Sequence, residues 1–242
     1  MTSTQREDHP GQHWQEPDRV AEYVERMDRQ QEERMVLFGL ITRLIPFPAD
    51  ADIRVLDVGS GYGPLATAVL DAFPKASVIG LDISAAMMDM GRERMARFGD
   101  RFAYLEGNFA DGTLPEEAVR SGPYHVVVSA RAIHHLPPEA MSRLYADIYS
   151  NLHPEGCFFN LDTASAPDDF LRELFRSSRR AKRPPAEAQP APASQIPHSV
   201  ALYHHRDATL KRHLAWLDDA GFKPVDCFWK RLEQALVGGY KR

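Results

Sequence analysis

An aspartate, three glycines at alternate positions and a proline fall within V-L-D-V-G-S-G-Y-G-P-L-A, residues 55–66. A short apolar run ending in glycines permits a tight turn, and such a turn before a helix can cradle an anion on backbone N–H groups. Three readings compete: a turn with no ligand, a dinucleotide cradle, and a site for a ligand that is cationic near Asp57. The dinucleotide pattern G-x-G-x-x-G breaks at its third glycine, where Pro64 stands and Gly63 comes one place early. Asp57 is the stronger argument, because a carboxylate at the strand end opposes a pyrophosphate and favours an ammonium or sulfonium group.

Other residues along the chain have types suited to chemistry. Asp82 ends the run V-I-G-L-D, a second acid at the end of an apolar run, 25 positions after Asp57. His134 and His135 follow the run V-V-V-S-A, so either could take a proton near neutral pH or merely cap a loop. Arg131 shares that loop, and Arg172, Arg176, Arg179, Arg180, Lys182 and Arg183 form a second basic group. They read either as a solvated helix face or as recognition of an anionic acceptor. His204 and His205 lack ligand spacing, as do Cys157 and Cys227, so no metal is expected and both cysteines read as small buried residues.

These groups must be placed by regular elements. Residues 53–58, 76–82, 102–107, 124–130 and 156–162 read as strands, alternating with helices over 62–73, 84–97, 115–120 and 138–152. Such alternation implies a parallel sheet covered on both faces, with ligands beyond the carboxyl ends of its strands. Ahead of the sheet, Val20, Tyr23, Val24 and Met27, then Met35, Phe38, Ile41 and Ile45, mark one or two helices over 17–46, stopped by Pro46 and Pro48. After Asp162 the rhythm breaks. Residues 168–183 form a helical pattern and 183–197 a Pro/Ala-rich connector, together a helical lid insertion over about 163–206. A last helix over 207–220, with Leu210, Leu214 and Leu217 on one face and Gly221 as its cap, precedes two strands within 222–241.

The chain of 242 residues is long enough for one domain over 17–242, preceded by a polar, flexible stretch at 1–16. Its net charge of −5 exerts no overall pull toward nucleic acid or an anionic membrane. The N-terminus lacks the apolar run of a signal peptide, and the most apolar stretch is interrupted by Arg43, so a cytoplasmic protein with no membrane span is expected.

In order, D-V-G-S-G-Y-G (57–63), V-I-G-L-D-I-S (78–84), E-G-N-F-A-D (106–111), V-V-V-S-A-R-A-I-H-H-L (126–136) and L-H-P-E-G-C-F-F-N-L-D (152–162) resemble the successive motifs of class I S-adenosylmethionine-dependent methyltransferases. The resemblance covers roughly residues 50–162 and, more weakly, the final hairpin; Pro-Glu-Gly stands where the family more usually has Pro-Gly-Gly. It implies an α/β fold with a Rossmann-like, doubly wound, seven-stranded sheet, mostly parallel with a C-terminal antiparallel hairpin, S-adenosylmethionine as cofactor and S-adenosylhomocysteine as product. On that resemblance Asp57, Gly59, Ser60 and Gly61 attend the amino-acid end. Asp82 and Ile83 attend the ribose with Met87 beside them, Asn108 and Phe109 the adenine, and Ala130 passes nearby.

The acceptor is expected to be a small molecule, anionic in one reading, with His134 and Arg131 as candidates for catalysis. Tyr23, His135 and Trp229 are candidates for substrate contact, although Tyr23 and Trp229 read equally as packing residues, as does Trp14. A tRNA-modifying methyl- or carboxymethyltransferase and a non-catalytic cofactor-binding protein are the alternatives. A homodimer stays open.

Overall fold

The computed structural model describes residues 17–29, 31–181 and 206–242. Expectations for the first sixteen residues, Trp14 included, and for Lys182, Arg183, the Pro/Ala-rich connector, His204 and His205 lie outside the described residues. Along the chain run α1 (Pro17–Asp28), α2 (Gln31–Leu44), β1 (Arg54–Val58), α3 (Pro64–Ala72), β2 (Ser77–Asp82), α4 (Ala85–Met95) and β3 (Phe102–Glu106). They are followed by α5 (Glu116–Arg120), β4 (Tyr124–Ala130), α6 (Pro138–Asn151), β5 (Leu152–Thr163), α7 (Asp169–Ala181), α8 (Leu210–Ala220), β6 (Val225–Arg231) and β7 (Gln234–Tyr240).

The strands form one seven-stranded sheet in the order β3-β2-β1-β4-β5-β7-β6. The first five strands run parallel, whereas β7 lies antiparallel to both β5 and β6. The chain therefore winds outward in two directions from β1, and the carboxyl ends of β1 and β4 border the crevice where such sheets bind ligands.

Two cores follow from side-chain alternation on the buried strands. Leu56, Val127 and Phe158 meet Met141, Leu144, Tyr145 and Ile148 of α6 and Leu217 of α8 on one face. Val55, Val126, Val128 and Phe159 meet Leu65 and Val69 of α3, Phe38 and Ile41 of α2 and Ile45 just after it on the other. Each such aliphatic or aromatic side chain contributes about 1.5–3 kcal/mol on burial. A third, small cluster joins Val20, Val24 and Met27 of α1 to Tyr62 and Met87, setting α1 beside the glycine loop.

Several details differ from the sequence expectation. Met35 is 39% exposed, because the chain breaks between α1 and α2 and α2 presents a narrower buried stripe. Strand β5 begins at Leu152, since α6 passes into it with no intervening loop. Cys157 is buried, whereas Cys227, on the edge strand β6, is only half-buried. The helix expected to begin a lid, α7, lies against the final hairpin: Arg179 pairs with Glu233 at 2.5 Å and Lys230 Nζ sits 5.1 Å from the ring centre of Phe175. Among the described residues, no helix is long and apolar enough to cross a membrane.

Candidate active site

The glycine loop is built by its own backbone bonds. The N–H groups of Gly59 and Ser60 both donate to the carbonyl of Leu81, at 2.8 and 3.0 Å, and that of Gly61 donates to Asp82 Oδ2 at 2.7 Å. The amides that would face a phosphate are thus spent on the end of β2. Gly59 has φ +71, and a Cβ there would stand 2.1 Å from Ala132 Cβ, so this glycine answers to the loop after β4. At Gly61, with φ +57, the nearest atom to an added Cβ would be Met87 Sδ at 4.0 Å, leaving open space above the turn.

Asp57 is 1% exposed, and its Oδ2 accepts the N–H of Ala66 in the first turn of α3 at 3.2 Å. That carboxylate occupies the helix N-terminus which a pyrophosphate would need. Its Oδ1 is buried with no hydrogen bond of good geometry, and Asp57 is among the residues that line the cavity. Burial pushes the Asp57 carboxyl up to about 7, with Ser60 and the Ala66 amide pulling down and nearby Asp82 pushing up. A buried carboxylate with an unsatisfied oxygen is costly until a donor reaches it, and an ammonium group supplies both donor and charge. Asp82 also lies above the usual carboxylate range, raised by burial and lowered by backbone N–H groups of Ser84, Gly61 and Ile83. The Gly61 N–H reaches Oδ2 and the Ser84 N–H reaches Oδ1, and the carboxylate keeps acceptor capacity for a hydroxyl of a diol.

These residues line one cavity of about 970 Å³, its mouth included. Asp57, Gly59, Ser60, Gly61, Asp82, Ile83, Met87, Asn108, Phe109 and Ala130 all reach it, as do Tyr23, Arg131 and His135. Asn108 Oδ1 accepts the Ala110 N–H at 2.8 Å, which fixes the turn that presents Phe109 as an apolar wall. The set fits S-adenosylmethionine: an acid for the ammonium, an acid for the ribose, and apolar surface for the adenine.

The two histidines separate. His134 Nδ1 lies 2.5 Å from Asp162 Oδ1, and its N–H donates to Asp162 Oδ2 at 2.9 Å. Its ring centre lies 4.0 Å from that of His135, and it is His135 that faces the cavity. Asp162 is held at about 2: burial pushes it up, and the His134 charge and hydrogen bond, with the amides of Thr163 and His134, bring it below the ordinary value. Trp229 does not reach the cavity; it packs on the edge strand against the core that contains Phe159.

A second cavity, of about 560 Å³ with its mouth, adjoins the first beyond the ends of β4, β5 and β7. Arg34, Ala130 and Arg131 line both. Arg34, Tyr62, Ala132 and Asp162 are site residues that the sequence reading did not single out. Tyr62 had a signal in its place inside the glycine loop. Arg34 had none, because it reaches the site only through the packing of α2.

Residues 55–156 match a family model described as a methyltransferase domain. Over those residues the chain carries a methyltransferase domain, and the strand order and the cavity acids around it agree with use of S-adenosylmethionine. The malonyl-(acyl-carrier protein) O-methyltransferase of Geobacter sulfurreducens is 28% identical over 176 residues, 72% of this chain and 57% of that protein. The trans-aconitate 2-methyltransferase of Methylobacterium nodulans is 28% identical over 192 residues, 79% of this chain and 65% of that protein. Shorter alignments reach enzymes named for release factor and ribosomal RNA. The chain thus spans less than two thirds of the length of these curated relatives. A solved structure of PigF with S-adenosylhomocysteine shares the fold, with a TM-score of 0.62 and 21% identity over 94% of this chain and 60% of that one.

Proposed function

We propose that this chain transfers the methyl group of S-adenosylmethionine to a small molecule held in the second cavity, by in-line displacement. The observation that carries the reading is the wall that the two cavities share at Arg34, Ala130 and Arg131, which sets a second chamber beside the proposed cofactor residues. The bound cofactor supplies a methyl group made electrophilic by its sulfonium. The chain's own residues do the positioning: Asp57 takes the ammonium, Asp82 the ribose diol, and Phe109, Met87 and Tyr23 exclude water. Holding two reactants in line can supply about 7–11 kcal/mol of a bimolecular barrier. Asp162 fixes the loop that carries Arg131 and His135, with His134 as the positioning residue between them.

Roofing of the site by α1 and α2 and the net charge of −5 support a small acceptor over a nucleic acid. The malonyl-carrier and trans-aconitate names of the two longer-aligned relatives support the same choice. The test is calorimetric titration with S-adenosylmethionine, S-adenosylhomocysteine and NAD, followed by transfer of labelled methyl to a small-molecule extract and to total tRNA. Binding of the first two ligands and label in the extract are expected. Binding of NAD alone, or label in tRNA alone, overturns the reading.

A further inference from the structure

Building on the methyltransferase reading, we propose that the acceptor is a carboxylate with an apolar body, and that the atom methylated is a carboxylate oxygen, giving a methyl ester. The junction of the two cavities carries two guanidinium groups, Arg34 and Arg131, and neither makes an ion pair with an acid among the described residues. Arg34 Nη1 donates to the neutral hydroxyl of Tyr62 at 2.7 Å, and its buried Nε has no hydrogen-bond partner. Asp28, the acid on the far side of Tyr62, is gripped by both Nη atoms of Arg94 at 3.1 and 2.8 Å. Arg131 is held at φ 60, a conformation uncommon outside glycine, by its N–H to the Leu161 carbonyl at 3.0 Å, which fixes where its side chain leaves the backbone.

The acids of the second cavity do not cancel these charges. Glu33 is paired with Arg231, and Asp162 with His134. The remaining wall is largely apolar, from Leu37, Phe38 and Leu161. A cationic junction and an apolar chamber together select a molecule with an anionic head and an apolar body, and the planar fork of arginine suits a carboxylate.

Because the cations stand at the junction, the head faces the cofactor cavity and the body lies away from it. A carboxylate is already ionised at neutral pH, so no base is required. One oxygen lone pair forms the O–CH3 bond as the S–CH3 bond breaks, and that bond's electrons return to sulfur. The anion and the sulfonium become a neutral ester and a thioether, with no proton moved. The ester has lost the charge that both arginines hold, which favours its release.

The test has two arms. Wild-type protein is incubated with methyl-labelled S-adenosylmethionine and a small-molecule extract, and the labelled products are treated with mild alkali, which hydrolyses an ester and frees the label as volatile methanol. Separately, protein loaded with S-adenosylhomocysteine is titrated with cinnamate and octanoate, each against its amide. We expect alkali-labile label, and carboxylates bound at least tenfold more tightly than amides. Arg34→Gln and Arg131→Asn, the latter chosen because asparagine tolerates positive φ, should each weaken carboxylate binding about tenfold. Arg34→Lys should retain most of it, and melting temperatures should report intact folds. Alkali-stable label overturns the proposal, as does equal binding of amides. So does a variant that loses S-adenosylhomocysteine and keeps carboxylate affinity, which would give the guanidinium to the cofactor's own carboxylate. Protein that binds S-adenosylmethionine yet labels no small molecule counts against it too, whereas failure to bind S-adenosylmethionine overturns the broader reading instead.

Discussion

Asp162 at the end of β5 holds His134 twice, through the imidazole Nδ1 at 2.5 Å and the backbone N–H at 2.9 Å. One buried carboxylate thereby fixes both the ring and the backbone of the loop that leads from Arg131 to His135.

Removing that carboxylate should be costly. Asp162→Ala leaves a buried amide and imidazole without their acceptor and is expected to destabilise the fold by about 3–5 kcal/mol, the range for breaking a buried pair. Asp162→Asn, which can still accept one bond, should lose less. The Asp162 carboxyl lies near 2 when folded, against an ordinary value of 3.8, so its stabilisation is present above pH 3.8 and disappears as pH falls toward 2. Urea unfolding of wild type and both variants checks this, and equal stability of all three would remove Asp162 from the role.

Cofactor binding should depend on the charge of Asp57. Burial pushes its carboxyl up to about 7, and only the ionised form attracts an ammonium group. Affinity for S-adenosylhomocysteine should therefore fall as pH drops below 7, approaching tenfold per unit. The raised value also means that the site loses stability as pH rises from 3.8 to 7 and bears the full cost above 7, so Asp57→Asn should be more stable at pH 8 while binding weakly at every pH. Calorimetry across pH 5.5–8.5 tests both, and a flat wild-type profile would exclude Asp57 as the ammonium partner.

The two loop glycines should fail in different ways. Gly59→Ala drives a Cβ to 2.1 Å from Ala132 Cβ at φ +71, so it should lower the melting temperature and displace the Arg131–Ala132 backbone. Gly61→Ala meets nothing closer than 4.0 Å and carries only the left-handed penalty of about 1–2 kcal/mol. It should fold and bind S-adenosylhomocysteine poorly, because the methyl fills the cradle. Melting curves and titrations of both variants distinguish the positions; tight binding by Gly61→Ala would place the cofactor elsewhere.

Acid sensitivity should also arise behind the sheet. Tyr145 accepts the Asn160 amide at 3.1 Å and meets His213 Nδ1 at 2.8 Å, so the hydroxyl donates to a neutral imidazole. Burial lowers the His213 value to about 4, against some help from Asp162. The unfolded chain takes up a proton near 6.5 that the folded chain refuses, so this site's stability is whole above pH 6.5 and drains away as pH falls to 4. His213→Phe should remove that part of the acid dependence and cost about 1–3 kcal/mol at pH 7.5 through the stranded Tyr145 hydroxyl. Unfolding at pH 7.5 and 5 provides the comparison, and an unchanged difference between the two would absolve His213.

Local pattern determined most of the architecture. Alternation and helical period placed the strands and helices, and the acids at two strand ends, Asp57 and Asp82, were legible as candidate cofactor residues that both line the first cavity, because each depends on residues near in sequence. Pairing across distance lay beyond that pattern. Gly59 is required by Ala132, His134 turns to Asp162 while His135 turns to the cavity, and α2 carries Arg34 to the wall shared by the two cavities. A helical stripe specifies which face is buried, and it does not specify which charged residue at the stripe's margin will overhang a ligand. That depends on the packing angle between α2 and the sheet, which many distant apolar contacts set together. Trp229 illustrates the same limit: β6 pairs outside β7, so the sheet order puts this aromatic at the far edge from the cofactor strands.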